Sequence, residues 1–341
     1  MQKITPRLAA TMILFSLATS FSSCSKSSTD STDIIGNWKR SSEFEGVGRT
    51  EAVSFTIGDK VYIGGGYDGS NRLNDFWEFT QSTGTWIRKA DFPGTARNSA
   101  VAFVVNGKGY VGTGYDGINK LTDFWQYDPA TNTWTQVASF GGTARYGAVA
   151  FSIGDKGYVT TGYDGNYLKD LWEYDAVTNA WTQKASLTGS KRTDAVAFVY
   201  NSKAYVVSGI NNGSYLYDFW VYNAATNEWT EKRKINSVSD EEYDDDYGDN
   251  IARSNGVIIV MNGKAYLSSG YHSGVIGTTY EYDISNDVWY QKTTLEGTAR
   301  EGAIGFTVNN RGYITTGNNS SSKFDDLWEF FPDADVDDTD N

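Results

Sequence analysis

An arginine recurs along the chain at Arg49, Arg97, Arg145, Arg192, Arg253 and Arg300, at spacings of 48, 48, 47, 61 and 47 residues. Each is followed, two residues later, by a small or polar residue and then by Ala or Gly with Val or Ile, as in Arg97-Asn98-Ser99-Ala100-Val101. The units then run through a turn, an aromatic strand ending in Gly, a loop, an Asp-Phe-Trp or Asp-Leu-Trp strand and a second Trp, with departures only in the last two units. Lys108-Gly109-Tyr110-Val111, Asp123-Phe124-Trp125 and Trp134 are one instance. Four short strands in a period of about 50 residues cannot bury both faces of their own sheet, so the units must pack against each other as blades of a β-propeller. The expected fold class is all-β, with four antiparallel strands per blade.

The second tryptophan gives the number of blades. Eleven residues separate Trp86 from Arg97, Trp134 from Arg145, Trp181 from Arg192 and Trp289 from Arg300, and the same eleven separate Trp38 from Arg49. The sixth unit has Trp328 but ends in Phe330-Phe331-Pro332 with no second Trp. Trp38 is therefore expected to lie on a donated outer strand that closes a six-bladed ring over residues 36–332, which removes a free sheet edge. Tyr280 stands where blade five should carry its first Trp. The tryptophans read as packing between blades.

In such a blade the start of the innermost strand and the end of the second strand lie at the same face. The six arginines and the residues after the closing Gly should converge on one mouth of the central channel. Those residues include Tyr67-Asp68, Tyr115-Asp116, Tyr163-Asp164, Ile210-Asn211, Tyr271-His272 and Asn318-Asn319. Arginine offers a rigid charged fork for carboxylate or phosphate, and tyrosine stacks on sugar rings or peptide bonds. The candidate ligand-binding set is thus Arg49, Arg97, Arg145, Arg192, Arg253, Arg300, Tyr67, Tyr115, Tyr163, Tyr271, Asn211 and Asn318. A second reading stays open, in which the arginines pair with Asp68, Asp116 or Asp164 and lock blades together. His272 reads as a surface loop residue. The other mouth collects tight turns followed by Lys60, Lys108, Lys156, Lys203, Lys264 and Arg311, a ring expected to be solvated.

The repeats resemble the kelch family, in which a Gly-Gly pair closes the second strand and a Tyr and a Trp follow at set distances. Gly65-Gly66 appears once here; Thr113-Gly114, Thr161-Gly162, Ser208-Gly209, Ser269-Gly270 and Thr316-Gly317 replace it elsewhere. The resemblance spans residues 36–330 and implies a kelch-repeat β-propeller. It also implies mouth loops whose arginines and tyrosines bind acidic peptides, as in metazoan kelch domains. Galactose oxidase shares such blades, but its copper radical site needs two histidines and a Cys-linked Tyr. This chain has only His272 and Cys24, so copper oxidation is excluded. Bacterial sialic-acid mutarotases are also six-bladed kelch propellers. The alternative function that resemblance implies is a cofactor-independent mutarotase or epimerase, with Asp68, Asp116, Asp164, Asp194 or Glu301 as the base.

One Cys and one His rule out an intramolecular disulfide framework, a Cys-rich zinc site and nearly all histidine-based triads. A net charge of −13 argues against a nucleic-acid partner. Lys3 and Arg7, the apolar run Leu8 to Phe21 and small Ser22-Ser23 read as a secretory leader over residues 1–23. Phe21-Ser22-Ser23-Cys24 resembles the lipobox of bacterial lipoproteins, which implies a bacterial kelch repeat-containing lipoprotein with lipidated Cys24. Residues 24–35 would be a polar tether, and the expected address is the outer membrane of the cell envelope, periplasmic or surface-exposed. The 333–341 tail reads as acidic and unstructured. A 13-residue insertion before Arg253 carries the acidic run Asp240 to Asp249 and is expected at the arginine-side mouth. Its readings are a solvated loop, a lid, an electrostatic cover or a calcium site. No other cofactor or metal is expected. The expected function is an envelope binding module, a monomer, for a saccharide or protein partner.

Overall fold

A computed structural model describes residues 1–2, 34–248 and 251–339; the leader, Cys24, most of the tether and Asp249 lie outside the described residues. Six four-stranded antiparallel sheets follow one another from Asn37 to Phe331. Blade one is Val53–Ile57, Lys60–Gly64, Phe76–Thr80 and Thr85–Arg88, innermost strand first. The innermost strands alternate buried and half-buried residues, while second strands such as Lys156–Thr160 bury nearly every side chain between neighbouring blades. Close packing there explains a glycine: a Cβ on Gly157 would fall 2.1 Å from the Phe103 ring of the preceding blade.

Blade six is built from Ile304–Val308, Arg311–Thr315 and Leu327–Phe331, completed by Asn37–Arg40 from the other end of the chain. Trp38 pairs with Phe330, stacks on its ring at 4.4 Å and is fully buried. Its Nε1 donates to the Thr293 carbonyl at 3.1 Å, as Trp134, Trp181 and Trp229 donate to Ala90, Ala138 and Ala185. The donated strand thus repeats the blade-to-blade contact of the others. The clasp extends into the acidic tail: Gly36 N donates to Ala334 O and Asp337 N to Asn37 Oδ1.

Blades are joined at one face by two closed circuits of backbone hydrogen bonds. The inner one runs Glu51, Ser99, Gly147, Asp194, Asn255 and Gly302, each N–H donating to the carbonyl of the preceding blade, and Glu51 N closes onto Gly302 O. In the outer one, the N–H groups of Gly66, Gly114, Gly162, Gly209 and Gly270 donate to the Arg carbonyl of the next blade, and Gly317 N closes onto Arg49 O.

The residue before each of these glycines has positive φ, from 57° at Thr113 to 65° at Gly65. That geometry explains the double glycine of the strict pattern and shows what its replacement costs, since a left-handed non-glycine residue loses about 1–2 kcal/mol. The hydroxyls of Thr113, Thr161, Ser269 and Thr316 are also buried without a partner. At the opposite face five of the six turn cations pair with acids, while Lys203 is exposed as expected. Lys60 meets Glu78 at 2.7 Å and Lys156 meets Asp175 at 3.2 Å; Lys108 pairs with Asp128, Lys264 with Glu281 and Arg311 with Glu329. Cross-strand register on the third strand supplies the acids, of which Glu78, Glu281 and Glu329 are themselves buried.

Thr161→Gly should raise stability by about 1 kcal/mol in urea unfolding, because relief of strain outweighs the entropy of a new glycine. A loss of stability would show that the threonine is not strained there.

Candidate functional site

The six arginines reach the expected face but turn away from it. Each is at most 2% exposed. Arg97 Nη1 and Nη2 bind Asp123 Oδ1 and Oδ2 at 2.7 Å each, Nη1 also donates to Thr113 O, and Nε donates to Thr95 O. Arg49, Arg145 and Arg300 repeat this two-pronged pairing with Asp75, Asp170 and Asp326, and Arg192 binds Asp218. The same aspartates accept the indole N–H of Trp77, Trp125, Trp172, Trp220 and Trp328. The arginines are therefore locks within blades, not a ligand-facing ring. Their partner is the Asp of the Asp-x-Trp strand, because Asp68, Asp116 and Asp164 cap their own loops: each accepts backbone N–H groups two or three residues on. Those bonds hold Asp68 and Asp116 below the usual carboxylate range.

What faces the mouth is the residue two beyond each arginine. Glu51, Ser99, Asp194 and Asn255 have φ of 51–55°, with Gly147 and Gly302 at 62° and 60°. The inner circuit of bonds enforces this conformation, and it aims four polar side chains at the axis. Ser99 Oγ and Asn98 Nδ2 donate to Glu51 Oε2, and Asn255 Nδ2 donates to Glu301 Oε2 at 3.3 Å. Burial, reinforced by the negative charges of Glu51 and Glu301, pushes Asp194 up to about 7. Burial raises Glu301 too.

Beside this acidic floor, blades one to three build an aromatic wall. Tyr115, Tyr146, Tyr163 and Tyr167 follow one another with ring centroids 5.5, 5.7 and 5.2 Å apart. Arg72 lies over Tyr115 at 4.9 Å and over Tyr67 at 5.2 Å, and Lys120 over Tyr163 at 5.8 Å. Floor and wall enclose an open cleft of about 390 Å³, which Glu51, Arg72, Tyr115, Lys120, Tyr146, Tyr163 and Asp194 line. Ile118, 86% exposed, stands at its rim.

Comparison with known proteins agrees with this architecture. The KLHDC2/KLHL20/DRC7 Kelch-repeats domain matches residues 36–162, and the Kelch motif matches 144–188 and 191–234. The chain belongs to the kelch-repeat β-propeller family. A solved structure titled "Structure of YjhT" has the same fold, with a TM-score of 0.69 at 18% identity over 84% of this chain and 95% of the other. No curated protein matches.

Within this kelch propeller the remaining sequence-predicted residues divide. Tyr115 and Tyr163 line the cleft, and Tyr67 reaches it through Arg72. Tyr271, Asn211 and Asn318 lie on other loops: Tyr271 bridges Ser254 and Val275, Asn211 pairs with Ser214, and Asn318 Nδ2 donates to Asn319 O. His272 stacks on Tyr215 at 4.2 Å and its Nδ1 contacts Ala252 O, so it joins two loops. Arg72, Lys120, Tyr146, Glu51 and Asn98 stand outside the set that sequence reasoning selects. The available signal was a cation five residues after Tyr67, Tyr115 and Asn318, at Arg72, Lys120 and Lys323.

The acidic insertion packs on blade five instead of standing over the mouth. Ile235, Tyr247 and Ile251 join the core around Tyr280 and Trp289, and Tyr247 Oη accepts Trp289 N–H. Asp244 is buried and accepts the N–H groups of Val238 and Ser239, both at 2.9 Å. Blade five is also where Thr278 and Tyr280 replace the Asp and Trp, and Arg253 Nη1 donates instead to Thr278 O at 2.9 Å. Among the described residues no group of three or more His, Cys, Asp or Glu is arranged to hold a metal ion.

The raised Asp194 makes stability pH-dependent. Between about pH 4, where an unfolded Asp ionises, and about 7, the folded state keeps a proton that the unfolded chain has released. Stability should therefore fall as pH rises through this window, by about 1.4 kcal/mol for each pH unit crossed. Urea unfolding at pH 5 and 8 should show this loss shrinking in Asp194→Asn; equal pH dependence in both proteins would exclude a raised Asp194.

Proposed function

We propose that the protein is a binding module of the bacterial cell envelope, held to the outer membrane through lipidated Cys24. Its cleft at the arginine-side mouth takes a carboxylate-bearing saccharide or segment of a protein partner. The observation that carries this reading is the pair Arg72 and Lys120. Neither forms an ion pair among the described residues, both lie against tyrosine faces, and both line one open cleft. Every buried arginine of the repeat serves the fold, whereas these two cations are left for a ligand. Among the described residues no helix is long and apolar enough to cross a membrane.

A second reading has one observation in its favour. A carboxyl pushed up to about 7 by burial, as Asp194 is, and lining the cleft is poised for general acid–base work on a sugar hemiacetal, so a cofactor-independent mutarotase or epimerase fits the same cleft.

Saturation-transfer NMR with uronic acids, neutral sugars and acidic peptides should detect binding of acidic ligands. Arg72→Gln and Lys120→Gln should each weaken it by about tenfold or more, the usual worth of a hydrogen bond to a charged group. Unchanged affinity in both variants would remove the cleft from consideration. Accelerated anomer exchange, lost in Asp194→Asn, would establish the enzymatic reading. Cys24→Ser should move the protein from the membrane fraction to the soluble fraction.

A further inference from the structure

The charges of the cleft are of both signs, and among the described residues Arg72, Lys120, Glu51 and Asp194 form no ion pair within the fold. In the blades, acids of low exposure meet a cation directly, as Asp75 meets Arg49, Glu78 meets Lys60 and Glu281 meets Lys264. The acids that line the cleft do not: among the described residues Glu51 is met by Asn98 and Ser99, both neutral, and Asp194 forms no ion pair. Asn98 stands between Arg72 and Glu51. It accepts from Arg72 Nε at 2.7 Å and donates to Glu51, so the two charges are held apart by an amide.

From this we infer that the natural ligand is a small zwitterion. Its carboxylate sits on Arg72 and Lys120, its protonated amine sits over Glu51 and Asp194, and its middle lies against Tyr115, Tyr146 and Tyr163. The inference rests on the cleft being the binding site. A purely anionic ligand satisfies the cationic shelf but lies over carboxylates that repel it, and an uncharged one satisfies neither set. Two opposite charges on one ligand satisfy both, and the repulsive floor weakens the binding of anions that lack the amine. The mutual repulsion of Glu51, Asp194 and Glu301 that favours a proton on Asp194 is relieved when an ammonium group arrives.

Two chemical sources fit, a short free peptide and an amino-uronic acid, and the test separates them. The purified protein is titrated calorimetrically near neutral pH with the tripeptide Ala-Tyr-Ala, its N-acetyl form and its C-terminal amide. In parallel it is titrated with 2-amino-2-deoxyglucuronic acid, the N-acetyl form of that sugar, and glucuronic acid. In one arm the free zwitterion should bind, and acetylation should weaken it by about tenfold or more, a loss of about 1.4 kcal/mol. Glu51→Gln should abolish the preference for the free amine while leaving the dependence on the carboxylate. Because the ligand is altered as well as the protein, the result does not depend on how that variant folds. N-acetyl forms that bind as well as the free amines overturn the inference. Glucuronic acid bound in an Arg72-dependent way with no amine preference overturns it and leaves the binding-module reading standing. Absence of binding by every probe overturns both.

Discussion

The buried arginine of each repeat is the joint on which the propeller depends. In five blades its guanidinium binds two strands of its own blade, the Asp before the third strand and the carbonyl that ends the second, and in blade five Thr278 takes the place of the Asp. The arginine's backbone carbonyl accepts the glycine N–H of the preceding blade. One residue therefore couples strand pairing inside a blade to ring closure between blades. Removing the charge would leave a buried carboxylate uncompensated, which typically costs about 3–5 kcal/mol. Identity at all six positions follows from this geometry. A ligand-facing arginine would have no reason to recur in every blade, whereas a joint must.

Blade five shows how far the pattern bends. It loses the Asp and the Trp together, at Thr278 and Tyr280, and these two are coupled because in the other blades the Asp carboxylate also takes the indole N–H. The 13-residue insertion falls in the same blade, and its Tyr247 and Ile251 pack around Tyr280 and Trp289. Apolar burial at this place accompanies the loss of the Asp–indole pair, while Arg253 keeps its bonds to Ser269 and Thr278. The acidic composition of the insertion conceals the hydrophobic residues spaced within it.

The mouth inherits its shape from the same joints and its chemistry from the positions they leave free. The inner circuit of backbone bonds forces positive φ on the residue two beyond each arginine, a conformation that Gly147 and Gly302 adopt at no cost. Glu51, Ser99, Asp194 and Asn255 hold it under strain, and strain of this kind concentrates at functional sites. Symmetry is broken there and along the tyrosines, so blades one to three carry the aromatic wall of the cleft while blades four and five carry the His272 and Tyr215 stack.

The sequence by itself determined the architecture: the spacing of Arg49, Arg97 and their equivalents, and the eleven-residue step from Trp38, specify six blades and their closure. Repetition makes this legible, since a feature copied six times must satisfy a constraint that each blade meets. It left open which Asp each arginine would choose. Asp68 and Asp75 lie 19 and 26 residues from Arg49 along the chain, and only the third-strand position of Asp75 puts it beside the guanidinium. The cleft was decided by tertiary structure alone. Glu51, Arg72, Lys120, Tyr146 and Asp194 come from four successive blades and meet because ring closure brings their loops to one axis. Charges that neutralise or fail to neutralise one another do so across space, and no one-dimensional spacing records it.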